Sequence, residues 1–225
     1  MKIPEALRPT QVTILAYGAL LSEASSRLTF PDLQAFCYVR IWGMKRVFAH
    51  PHLYLLKEHP HLLQQDPACC ASLSAEPGRP DDSFVAAAFT VVFPDGKAGD
   101  AQRQAFVQRE WTYDIVNVPY HDLEASSHTS PPAGMGVLCV QSTDANWPDD
   151  VAQLPADRLE VASIWHWPQT SGILPANVYL RHCLLAVKKA PNAVAQDSFL
   201  TQTYLVDRQT TLKEYLAKHC DRHPS

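Results

Sequence analysis

Several things are scarce or missing in this 225-residue chain, and each absence narrows what it can be. No apolar run is long enough to cross a membrane: the longest, Phe84 to Phe93, is about half of the ~20 residues a spanning helix needs. Lys2 and Arg8 precede an apolar stretch of signal-peptide size. Pro4 and Glu5 break the charged region, however, and no small-x-small cleavage site follows, so the stretch reads as the first core strand. The expected location is cytoplasmic. There is no basic cluster beyond the pairs Lys45-Arg46 and Lys188-Lys189, and the net charge is −4, so a nucleic-acid partner is not expected. Six cysteines show no framework spacing, and most sit in apolar surroundings typical of reduced core thiols. Glycine is scarce, with eight against eighteen prolines, which implies stiff loops and strand ends and no flexible linker. Gly-x-Ser-x-Gly, Walker-type, Gly-x-Gly-x-x-Gly and His-Glu-x-x-His motifs are all absent.

What is present is enough apolar side chain for a core, at 46 % hydrophobic and 19 % charged residues. Length favours one domain over residues 1–225. Val12 to Ala16 has the character of a buried strand, stopped by Tyr17-Gly18, with a short helix up to Arg27. A long extended segment, Phe36 to His50, carries Gly43 as a bulge or hairpin bend. His50-Pro51-His52 to His59-Pro60-His61 reads as a solvated loop, because its prolines prevent tight metal-ligand spacing; no metal is expected.

Further on, Ala68 to Leu73 is a short strand and Phe84 to Phe93 a central one, buried on both faces. Asp100 caps a helix to about Arg109, with Ala101, Ala105 and Phe106 on one face. Strands follow at Tyr113 to Pro119, Gly134 to Val140 and Leu159 to Trp167, with a Trp-Pro-Asp-Asp loop between the last two that would cover a pocket mouth. The tail is helical. Val178, Leu180, Leu184, Leu185 and Val187 form one apolar face, and a second helix runs from Asp197 to Val206 with Phe199, Leu200, Tyr204 and Leu205 inward. Thr211 to Glu214 is a capping box. Strands with few intervening helices and a helical tail imply an α+β fold, with a mixed sheet curled around a core.

Two places invite chemistry. A strand that stops at Gly18 and turns into a helix leaves several N–H groups without partners, a receptor for a carboxylate or phosphate. The plainer alternative is that Gly18 simply lets the chain turn. Glu110 follows a helix, between Arg109 and Trp111, where burial would raise its pKa and make it a general base. A solvent-facing glutamate paired with Arg109 is the plainer alternative here. Cys69, Cys70 and His166 read as core residues.

These pieces occur in an order that resembles the γ-glutamylcyclotransferase superfamily. The similarity lies in the turn Tyr17-Gly18-Ala19-Leu20-Leu21 after the first strand and in Gly43-Met44-Lys45-Arg46-Val47-Phe48. Arg109-Glu110-Trp111-Thr112-Tyr113 and the tail from Tyr179 to Val187, followed by Phe199-Leu200 and Tyr204-Leu205, extend it over about residues 12–206, leaving 1–11 and 219–225 as terminal extensions. The resemblance implies a small mixed β-barrel-like sheet with flanking helices and a cofactor-free enzyme of glutathione metabolism acting on a small γ-glutamyl compound. It implies that the amides of Tyr17, Gly18, Ala19 and Leu20 hold the α-carboxylate, that Glu110 is the general acid/base, and that Tyr113 hydrogen-bonds substrate. The family's Tyr-Gly-Ser is Tyr-Gly-Ala here, so Ala19 brings no hydroxyl. A non-catalytic member of the same fold, binding a small acid or a protein partner, is the alternative reading.

Overall fold

A computed structural model describes residues 2–52, 68–143, 165 and 167–219 of the chain. Among the described residues, eight strands and five α-helices form an α+β fold around a closed five-stranded barrel of order β1-β5-β2-β6-β7. These are β1 (Gln11–Ala16), β2 (Gln34–Trp42), β5 (Ser83–Val92), β6 (Asp114–Asp122) and β7 (Gly134–Val140). Neighbours are antiparallel except where β1 closes the barrel against β7 in parallel, Ile14 facing Val137. The most apolar strand is the central one. β5 pairs with β1 on one side and β2 on the other, so Phe84 to Phe89 are buried and the alanines Ala86, Ala87 and Ala88 admit close packing on both faces.

A second sheet of order β4-β3-β8 lies beside the barrel, made of β3 (Met44–Pro51), β4 (Ala71–Pro77) and β8 (Thr203–Tyr204). Gly43 is neither a bulge nor a hairpin tip. With φ at +73°, it turns the chain out of the barrel after β2 and into this sheet, and its N–H donates to Asp82 O at 2.8 Å. Other expectations change too. β4 continues through Glu76, because Glu76 is buried and paired with Arg208, Nε to Oε1 at 3.0 Å. β3 continues through His50 and Pro51, opposite Ser72 and Ala71.

The helices are α1 (Glu23–Thr29), α2 (Lys97–Arg109), α3 (Asn177–Lys189), α4 (Ala193–Thr201) and α5 (Leu212–Lys218). In α2 the buried face is Gly99, Arg103, Phe106 and Val107, not Ala101 and Ala105. Arg103 can replace an apolar residue there because Nε donates to Leu7 O at 2.7 Å and its guanidinium lies over Phe93. In α3 Leu180, Cys183, Ala186 and Val187 face inward, while Val178 and Leu185 are exposed. The helix expected over residues 197–206 is instead α4 ending at Thr201, because Thr203 and Tyr204 pair with β3 at Arg46 and Val47. The capping box at Thr211 and Glu214 is formed. The loop of residues 147–150, most of the strand expected over 159–167, His166 and the histidine loop beyond His52 lie outside the described residues. Among the described residues no helix is long and apolar enough to cross a membrane.

Candidate functional site

The β1–α1 connection, the α2–β6 connection and the end of β3 meet around a cavity of about 540 Å³. That is a volume typical of small-molecule sites, ~300–1,000 Å³. Tyr17, Gly18, Ala19 and Leu20 line it together with Glu110 and Tyr113.

The backbone of the turn is oriented by what holds its carbonyls. Arg46 Nη1 donates to Tyr17 O at 3.3 Å, Leu21 N–H donates to Gly18 O at 3.0 Å, and Ser26 Oγ donates to Leu20 O at 2.7 Å. Every described peptide bond is trans, so the N–H of the following residue points away from each tethered carbonyl. Gly18 and Ala19 N–H are therefore directed away from the tethers. Among the described residues neither of these donors, nor that of Leu20, meets an acceptor. Amides without acceptors gathered in one bend are an arrangement that suits an anion. The Tyr17 side chain serves the barrel instead. Its hydroxyl donates to Cys139 O at 2.7 Å and its ring meets Phe84 edge-on, fixing β1 to the barrel wall.

Gly18 permits a close approach. A β-carbon there would stand 2.9 Å from the Tyr179 hydroxyl, which α3 brings over the bend. Tyr179 also lines the cavity and hydrogen-bonds Cys183 one turn along the same helix. Only its i, i+4 spacing from Cys183 hinted at this in the sequence.

Glu110 is the residue that ends α2, its N–H donating to Phe106 O at 3.0 Å. Its side chain is 19 % exposed and is both partly buried in the cavity wall and paired with Arg109, Nε to Oε1 at 3.0 Å. Arg109 is itself anchored by Nη1 donating to Thr29 Oγ1 at 2.6 Å. Burial raises the carboxyl pKa, and Arg109 offsets part of the rise. Oε2 has no partner among the described residues.

Tyr113 is half-buried in the same wall, and its hydroxyl donates to Leu73 O at 2.8 Å. Its one proton is thus committed to backbone, so in this arrangement it offers a ligand its ring. His50 Nε2 lies 3.1 Å from the Tyr113 oxygen. Because Leu73 O can only accept, His50 must carry its proton on Nε2 and donate it to Tyr113. Burial holds His50 neutral, with its pKa lowered to about 3. Trp165 stacks on the His50 ring at 4.3 Å. His50 and His52 therefore belong to the cavity wall, not to the solvated loop expected from their neighbours. Among the described residues no group of three or more His, Cys, Asp or Glu is placed to hold a metal ion.

No family model matches the chain, and no curated protein does. Solved structures similar to it include a yeast γ-glutamyl cyclotransferase specific to glutathione, at 14% identity and TM-score 0.47, over 95% of this chain and 96% of that one. Another γ-glutamyl cyclotransferase matches at 12% identity and TM-score 0.45, over 81% and 82%. An uncharacterized protein from Homo sapiens matches at 12% identity and TM-score 0.40, over 60% and 68%. At such identities and scores these likenesses decide neither activity nor substrate. The cavity's own chemistry has to.

Proposed function

We propose that the chain is a γ-glutamylcyclotransferase-type enzyme that converts a γ-glutamyl amide or peptide into 5-oxoproline and a free amine. The observation that supports this most is the meeting of two opposed features in one cavity. The turn from Gly18 to Leu20, whose N–H groups meet no acceptor among the described residues, lines the same cavity as Glu110, whose second oxygen has no partner among them.

A γ-glutamyl group carries one end for each. Its α-carboxylate docks on the turn amides, which places its α-ammonium within reach of Glu110. Glu110 takes a proton from the ammonium, and the neutral amine attacks the γ-carbonyl carbon to form the ring C–N bond. Binding the chain folded supplies the near-attack geometry for this five-membered closure. Glu110 then returns this proton to the leaving nitrogen as the original amide bond breaks; the second proton, shed by the ring nitrogen as it becomes the lactam N–H, passes to the freed amine, which departs as an ammonium, so no net proton is consumed. A raised pKa brings the carboxylate closer to that of the amine it must deprotonate, which eases the abstraction. Tyr113, fixed by Leu73 and His50, walls the glutamyl chain.

The test is incubation of the purified chain with glutathione, γ-glutamyl amino acids and γ-glutamylamines, reading 5-oxoproline and released amine. Equal amounts of both from at least one compound are expected. No release from any of them rejects catalysis. Calorimetric binding of 5-oxoproline in that case would favour the non-catalytic reading, which the missing hydroxyl at Ala19 already makes the natural rival.

A further inference from the structure

The bulkiest fully buried side chain among the described residues is Arg46, and the reaction above makes no use of it. Its five N–H donors reach five oxygens: Thr203 Oγ1 at 2.7 Å, Tyr17 O at 3.3 Å, Val85 O at 3.1 Å, Ser198 O at 2.8 Å and Ser198 Oγ at 3.5 Å. Phe84 and Phe199 face the guanidinium at 5.2 and 4.7 Å. No carboxylate among the described residues pairs with it. Burial lowers its pKa to about 9, so it remains a cation near neutral pH.

A buried cation without a counter-ion projects a positive potential that the protein interior screens poorly. The Tyr17 contact gives that potential a direction. Arg46 grips the carbonyl side of the Tyr17–Gly18 peptide, and the N–H side of the same peptide belongs to the cavity bend. We propose that Arg46 is a positioning residue for the ligand's carboxylate, acting through the Tyr17–Gly18 peptide, which it holds in plane and polarises. The cavity's demand for an anion at the bend then comes from a side chain the ligand never touches. This rests on the reading that the turn holds a carboxylate, but not on turnover.

A purely structural role predicts something different, because loss of Arg46 would then weaken every ligand alike. The discriminating pair is 5-oxoproline and 2-pyrrolidinone, the same ring without the carboxylate, titrated calorimetrically into the wild-type chain, Arg46→Met and Arg46→Lys. Wild type is expected to prefer 5-oxoproline. Arg46→Met is expected to lose about tenfold or more in affinity for it while 2-pyrrolidinone binding shifts by less than about threefold, and Arg46→Lys to restore most of the preference. No preference in wild type, an intact preference in Arg46→Met, or equal loss for both ligands overturns the proposal.

If Arg46→Met does not fold, NMR on the wild-type chain decides. The Gly18 amide and Arg46 guanidinium resonances should move with 5-oxoproline and stay put with 2-pyrrolidinone, and stillness of either with 5-oxoproline overturns it. A chain that discriminates the two ligands but releases no 5-oxoproline sinks the cyclase reading and leaves this one standing. Turnover with no effect of Arg46 on carboxylate preference does the reverse.

Discussion

The hydroxyl of Tyr179 stands 2.9 Å from where a β-carbon on residue 18 would be, so the glycine at position 18 lets Tyr179 of α3 reach the cavity wall as it does. Two elements far apart in sequence are thereby coupled at the bend whose amides are free. Gly18→Ala should force the Tyr179 ring outward and cost about 1–3 kcal/mol, the usual penalty of overpacking. Urea unfolding checks it. The double variant Gly18→Ala/Tyr179→Phe should recover part of the loss, since the clashing atom is then gone. Additive losses would mean that the Tyr179 hydroxyl does not constrain position 18.

His50 makes the fold acid-sensitive. Its pKa is about 3 when folded and about 6.5 when unfolded, so between those values the unfolded chain holds the extra proton. Stability from this group is therefore complete above pH 6.5 and falls as the pH drops toward 3, by up to ~1.4 kcal/mol per pH unit. His50→Gln keeps a donor for the Tyr113 oxygen but does not titrate. Its stability–pH curve should be flatter across that window and unchanged in slope above it. Parallel curves for variant and wild type would contradict the assignment.

Arg109 tunes Glu110. Burial raises the carboxyl pKa and the neighbouring guanidinium pulls it partly back, so Arg109→Gln should raise it further. A base must be ionised to act, and kcat/KM for 5-oxoproline formation should rise with pH through the Glu110 pKa. In Arg109→Gln that limb should move to higher pH. A limb unmoved or displaced downward would show that the limb belongs to another group.

Arg208 ties the tail to the second sheet. It meets Glu76 with Nε to Oε1 and Nη2 to Oε2, both at 3.0 Å, and neither side chain is more than 18 % exposed. Removing one partner leaves a nearly buried charge alone, so Arg208→Met should cost about 2–4 kcal/mol in chemical denaturation. Glu76→Leu/Arg208→Met should be closer to wild type than Arg208→Met is. A double variant weaker than the single one would show that the pair does more than neutralise itself.

Much of the fold could be read from residue pattern alone, and the exceptions share a cause. β5 and β7 announce themselves through unbroken apolar character or clear turn signals, and Thr211 to Glu214 caps a helix by purely local hydrogen bonds. Gly43 was legible as a bend, but which sheet the chain enters next depends on Ser72, Ala75 and other residues of β4 more than twenty positions away. Tyr204 and Leu205 fit a helical period, and a short parallel pairing with β3 overrides it. His50 and His52 share their letters with the histidines of a polar loop, and only Cys70, Tyr113 and Trp165 around them reveal burial. The same holds at the cavity. Gly18 and Glu110 could be picked out by their positions at element ends, whereas the parts played by Tyr179, Leu73 and Arg46 depend on contacts with residues far away in sequence.

The most direct measurement is 5-oxoproline formation by Glu110→Gln beside wild type, with circular dichroism and melting temperature recorded on the same samples. Glutamine keeps the shape of the side chain and cannot exchange the proton. An unchanged fold is expected, with a fall in kcat of about 100-fold or more on any substrate the wild type turns over. Turnover by folded Glu110→Gln within about threefold of wild type would contradict the assignment, since a difference that small leaves no room for the proton transfers given to this carboxylate.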